Sequence, residues 1–206
     1  MKLKIPTELS DITLEQVQKV LLIDENPEID LFPKVVHSVA IMTGRTPHEI
    51  GQVIYADLEQ IYTKIFSMIN GQSTAPLHQK VKYLGREYGF IPDVRDMETG
   101  AFVDIDEMAK PNKYAENLHK LMAVLYRPIE AEFGNYYRLK SYVNEHPKER
   151  EERQAIFLKH MTLDVVRGAT GFFLLVTHRC LNISDGSFPV LPNLTVTEAI
   201  RGAGIT

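Results

Sequence analysis

The chain has 206 residues, of which 44% are hydrophobic and 24% charged, and a formal net charge of −4. That balance excludes a disordered or fibrous protein. With no run of Lys or Arg, it argues against non-specific nucleic-acid binding. Cys180 is the single cysteine, which excludes an internal disulfide and a cysteine-rich zinc site.

"MKLKIPTELSDITLEQ" has no apolar core of the kind a signal peptide needs. The longest nearly apolar run, residues 168–177, is about half of the roughly 20 residues that span a bilayer. The expectation is therefore a protein of the cytosol.

In chain order, Thr13 followed by Gln16 is a capping box, so a helix begins there. The pattern Phe32, Val35, Val36, Val39, Ala40 predicts a helix over 27–43 with Gly44 just past its end. Thr46 as N-cap, Pro47 in the first helical position and Glu49 closing a second capping box start the next segment. After a break near residues 55–56, Leu58, Ile61, Ile65 and Met68/Ile69 recur at helical spacing until Gly71. "KVKYLGREYGFIP" reads as a hairpin around Leu84-Gly85, with Val81 and Tyr83 opposite Tyr88 and Phe90. "AFVDIDEM" reads as a third strand or as the approach to a helix.

A helix is predicted over 114–126, its core face formed by Leu118, Leu121, Met122 and Leu125. Arg127 stands before Pro128 and marks its end. "GNYYRLKSYV" predicts one more strand, and "HPKEREERQAIFLKH" a charged helix. The most apolar helix is expected from Thr162 to Leu181, with Leu163, Val166, Ala169, Phe173, Val176 and Cys180 on one face. The fold class is mainly α with a small β insert. We divide it into a helical region (1–72) and a β insert with C-terminal helices (73–206), in one compact domain with a loosely packed tail (183–206).

The chemistry-bearing residues are sparse. Asp93, Asp96, Glu98, Asp104, Asp106 and Glu107 cluster between residues 87 and 108. A calcium loop needs acids at positions 1, 3 and 5 with Gly at 6, and counting from Asp93 puts Arg95 and Glu98 at positions 3 and 6. On a strand, Asp104 and Asp106 would share a face, but acid/base work also requires a pocket and a third group. The simpler expectation is that these acids are structural, with Asp104 or Asp106 paired to Arg127. The histidines lack the spacing of a zinc-hydrolase helix. The remaining enzyme reading is a metal-dependent hydrolase using Asp104, Asp106 and His119. Gly168 and Gly171 sit inside a predicted helix, where each costs about 1 kcal/mol against Ala; close helix–helix approach explains them better than phosphate binding.

One stretch carries a resemblance. "SVAIMTGRTPHEIGQVIYADLEQIYTKI", with "TG-x-TP-x-E" leading into an aspartate-bearing helix, resembles the helical core of tailed-bacteriophage tail assembly chaperones. Tyr88–Asp93, Gly100–Asp106, Met122–Ile129, Tyr136–Tyr142 and Gly168–Phe173 resemble segments of other phage morphogenesis proteins.

The resemblance implies a non-enzymatic factor in the host cytoplasm, without cofactor, metal, nucleic acid or membrane. Its partners would be the tape-measure and tail-tube proteins, with self-association open. The partner surface is expected at Leu58, Ile61 and Ile65, which line a groove, and at Tyr88, Phe90, Tyr136 and Tyr137. Asp104, Asp106 and Arg127 are expected to be structural. The alternative is a structural virion component such as a head–tail connector, neck or tail-completion subunit.

Overall fold

The computed structural model describes residues 3–71, 75–91, 96–134 and 136–171. Several of its helices begin where capping chemistry places them. Asp11 first closes a short 3₁₀ turn, accepting from the Thr7 N–H at 2.9 Å and the Glu8 N–H at 3.1 Å. Thr13 and Gln16 then cap each other reciprocally at the head of α1 (Leu14–Asp24). α2 (Leu31–Thr43) stops at Gly44, whose φ of 67° lets the Arg45 N–H turn back to the Ala40 carbonyl. Two residues later, Thr46 and Glu49 form the second capping box around the single turn α3 (Pro47–Ile50). α4 (Tyr55–Asn70) follows and packs Leu58, Ile65, Phe66 and Ile69 into the core.

β1 (Lys80–Tyr83) and β2 (Arg86–Phe90) form the expected hairpin, with Val81 opposite Tyr88. Leu84 and Gly85 both take positive φ, 48° and 79°, as a two-residue turn matching the strand twist requires. "AFVDIDEM" resolves as a helix: it lies in α5 (Thr99–Met108). Two aspartates two apart are about 200° apart around a helix, so Asp104 and Asp106 do not share a face. α6 (Pro111–Leu125) runs directly into β3 (Tyr126–Phe133), a strand the sequence reading did not anticipate. Pro128 forces the residue before it into extended backbone, so at Arg127 the chain has left the helix and entered the sheet. β4 (Tyr136–Leu139) completes an antiparallel sheet of order β1-β2-β3-β4, with a register shift between Ile129 and Ala131.

α7 (Pro147–His160) and a helical stretch over 163–171 (α8) end the described chain. Leu163, Val166 and Ala169 are buried as their spacing requires. Phe173, Val176, Cys180 and the tail 183–206 lie outside the described residues. Gly168 serves a close approach, but not between helices. A Cβ there would collide with the Pro76 carbonyl and lie 3.2 Å from the Leu77 Cα, on the extended segment before β1.

The core is continuous from Ile12 to Ala169 and centres on α6, whose residues Leu121–Leu125 are all buried. Phe157 of α7 meets the rings of Tyr88 and Tyr83 at 4.9 and 5.8 Å between centroids. The two ends of the described chain are tied together: the Leu14 N–H donates to the Met161 carbonyl at 2.7 Å, and the Leu163 N–H to the Ile12 carbonyl at 2.9 Å. Among the described residues, no helix is long and apolar enough to cross a membrane.

Candidate interaction surface

The residues expected to meet a partner divide sharply. Leu58, Ile65, Tyr88 and Phe90 are each at most 2% exposed. They are core residues, because the faces that carry them pack on the rest of the protein. Ile61 is half-buried against the same core. Tyr137 is also committed inward: its hydroxyl donates to the Phe90 carbonyl at 2.6 Å. Of the seven, Tyr136 alone stands clear in solvent, 80% exposed, beside Phe133 at the tip of the β3–β4 hairpin.

The residues expected to be structural divide as well. Arg127 is buried and does pair with an acid of the 93–107 segment, but that acid is Glu98, at 2.6 Å, and not Asp104 or Asp106. Glu98, the N-cap of α5, also accepts from the Ser141 hydroxyl at 2.5 Å and the Tyr142 N–H at 2.6 Å. Burial opposes its charge. The bonds from Ser141, Tyr142 and Arg127 outweigh that and hold its carboxyl below the ordinary value. Asp104 instead accepts from the Tyr142 hydroxyl, over whose ring the Arg150 guanidinium sits at 3.9 Å from the centroid. Asp106 is exposed.

A cleft of about 290 Å³ opens beside this network, lined by Asp104, Glu107, Lys113, Lys120 and Arg150 among others. Its charged side chains are already engaged: Glu107 with Lys110 and Lys113, Lys120 with the Asn117 side-chain oxygen, Arg150 with the Tyr142 hydroxyl. His119 lies elsewhere, its Nδ1 3.0 Å from the Gln18 side-chain oxygen. The hydrolase triad Asp104, Asp106, His119 is therefore not assembled, and no group of three His, Cys, Asp or Glu among the described residues converges on a metal position.

The surface that does stand out was missed from the sequence. Phe32, expected on the buried stripe of its helix, is 55% exposed, and so is Tyr55. Their rings stack at 6.3 Å with an interplanar angle of 22°. Each has an exposed aliphatic neighbour in sequence, Leu31 and Ile54, so the starts of α2 and α4 carry four large exposed apolar side chains. Phe32 escapes the core because α2 begins at Leu31, and its first turn stacks against the start of α4 instead of packing inward. The visible signal was "PEIDLFPK", where proline and acids crowd a helix start that also carries an aromatic.

No protein-family model, curated protein or solved structure matches this chain.

Proposed function

We propose that this chain is a non-enzymatic assembly factor that holds an apolar segment of a partner protein, in the manner of the phage tail assembly chaperones its sequence resembles. The observation that carries the reading is the patch formed by Leu31, Phe32, Ile54 and Tyr55. Large apolar side chains exposed together mark protein contacts far more often than the same residues scattered singly. The "TG-x-TP-x-E" motif supports it in a mechanical way. Gly44, Thr46 and Glu49 make a stop-and-start joint between α2 and α3, which leads the chain back to α4, the helix that packs on α2 and shares the patch with it. The partner proposed is the tape-measure protein, an elongated chain with helical apolar surface to be kept from aggregating.

Co-expression with the tape-measure protein of the same genome tests this. The expected result is a complex that survives gel filtration and keeps the tape measure soluble. A charge must be placed at the patch and not at Ile65, which is core; Phe32→Glu, checked for an unchanged circular dichroism spectrum, is expected to release the partner. A tape measure that precipitates equally with and without this chain contradicts the chaperone reading. Stoichiometric recovery of the chain from purified particles makes it a virion component instead.

A further inference from the structure

The apolar patch does not stand alone. Residues 22–34 and 54–59, which carry it, contain the carboxylates Asp24, Glu25, Glu28, Asp30, Asp57 and Glu59 against one base, Lys34. Helical spacing places two of these acids beside the patch. Asp57 follows Ile54 by three residues and Glu59 follows Tyr55 by four, one turn further along the same side of α4. Glu28 and Asp30 immediately precede Leu31 and Phe32. Asp24, at the end of α1, lies close to α4. Burial and then the Asp24 charge both raise the Tyr62 hydroxyl on α4, to about 12.

Most of these charges are unspent; Asp24 is the one that feels the Lys34 charge. Lys34 donates to the Asp24 carbonyl, but among the described residues Glu25, Glu28, Asp30, Asp57 and Glu59 form no ion pair. Elsewhere, Glu15, Glu49, Glu87, Glu132 and Glu149 each face a lysine or arginine at 3.2 Å or closer. Asp30 is the N-cap residue of α2 yet makes no side-chain cap bond, so its carboxylate is not committed to its own helix. An apolar centre ringed by unpaired carboxylates is complementary to a segment with an apolar face and flanking cations. It also disfavours a second copy, because a two-fold contact through this patch would set acids against acids.

We infer that the occupant of the patch is an amphipathic helical segment whose apolar face is flanked by lysine or arginine. This rests on reading the patch as the partner surface and adds the partner's charge. Hydrophobic contact with Phe32, Tyr55, Leu31 and Ile54 supplies the burial, and the acidic rim sets orientation and excludes anionic segments and membrane surfaces.

Two dye-labelled synthetic helices with the same apolar face, one flanked by lysines and the other by glutamates, test it by fluorescence anisotropy against the full chain. The lysine helix is expected to bind at least about tenfold more tightly at low salt, with the gap closing as salt rises past the screening range. Phe32→Ser with Tyr55→Ser is expected to weaken both helices. Glu28→Gln with Asp30→Asn, and separately Asp57→Asn on the other helix, are expected to weaken the lysine helix alone. Among the described residues these exposed acids form no ion pair and make no side-chain cap bond, so each variant should keep its thermal midpoint to within the small effect of a helix N-terminus. Equal affinity for the two helices, no binding of either, or a dimer in sedimentation that Phe32→Ser abolishes would overturn the inference. A soluble tape-measure complex with no charge preference between the helices leaves the chaperone reading standing and this one refuted. Charge preference with an insoluble tape measure leaves the reverse.

Discussion

Gly89 sits where the Tyr137 ring crosses the sheet. A Cβ at Gly89 would overlap the Tyr137 ring and stand 2.8 Å from the Leu139 Cδ2. Tyr137 is pinned there by its hydrogen bond to the Phe90 carbonyl, so it cannot move aside without breaking that bond. Gly89→Ala is expected to destabilise the fold by about 1–3 kcal/mol, the range for overpacking, read as a lower urea midpoint. Glu98 is the second residue on which a great deal converges. Removing its charge leaves Arg127 buried without its partner. Glu98→Gln is expected to cost about 2–4 kcal/mol near neutrality, below the figure for a fully buried pair because the Glu98 side chain is 30% exposed. Its folded carboxyl is held below the ordinary 4.5. The stability it contributes is thus complete above that value and lost as pH falls through the folded value. Urea unfolding at several pH values should show the wild type and Glu98→Gln converging in acid; a constant gap down to about pH 2–3 would contradict the assignment.

At the scale of elements, the joint from Thr43 to Glu49 does the most with the fewest residues. Thr46 supplies the side chain that caps α3, and Glu49 returns to the Thr46 N–H at 2.8 Å. Thr46→Ala is expected to cost about 1 kcal/mol, a small fall in thermal midpoint. Its larger effect should appear in partner capture, because the joint leads from the helix that carries Phe32 to the segment that carries Tyr55. α7 behaves differently. Nearly all its surface is charged, and it is held by Phe157, fully buried among Tyr83, Tyr88 and Tyr126, and by Arg153, which grips Glu145 and the Ala123 carbonyl. Phe157→Ala should cost about 3–5 kcal/mol, with the loss measured by calorimetry.

For the whole molecule, α1 packs on α2, α6 and α7, and the backbone bonds around Leu14 and Leu163 join the two ends of the described chain. The helical N-terminal region and the β-containing remainder therefore share one core. Unfolding followed by far-ultraviolet circular dichroism and by tyrosine fluorescence should give coincident transitions, the signature of a single cooperative unit. Separate transitions would mean that residues 1–72 fold apart from the rest.

The sequence by itself determined the local structure whose causes are local. Capping boxes at Thr13 and Thr46, the glycine stop at Gly44 and the Leu84-Gly85 turn were all legible, because each depends on groups within four residues of one another. The mainly helical class with a small β insert followed from the same signals. Tertiary structure alone decided the rest. Whether "AFVDIDEM" became strand or helix, that β3 grows straight out of α6, and that Arg127 chose Glu98 over Asp104 were settled by which surfaces met across the core. Four of the seven residues expected on the partner face are core for the same reason. Leu58, Ile65, Tyr88 and Phe90 are apolar, and an apolar pattern does not say whether its partner lies inside the chain or outside it. Phe32 and Tyr55 carry the same ambiguity in reverse. Only the stacking of two helix starts left them in solvent, beside carboxylates most of which form no ion pair among the described residues.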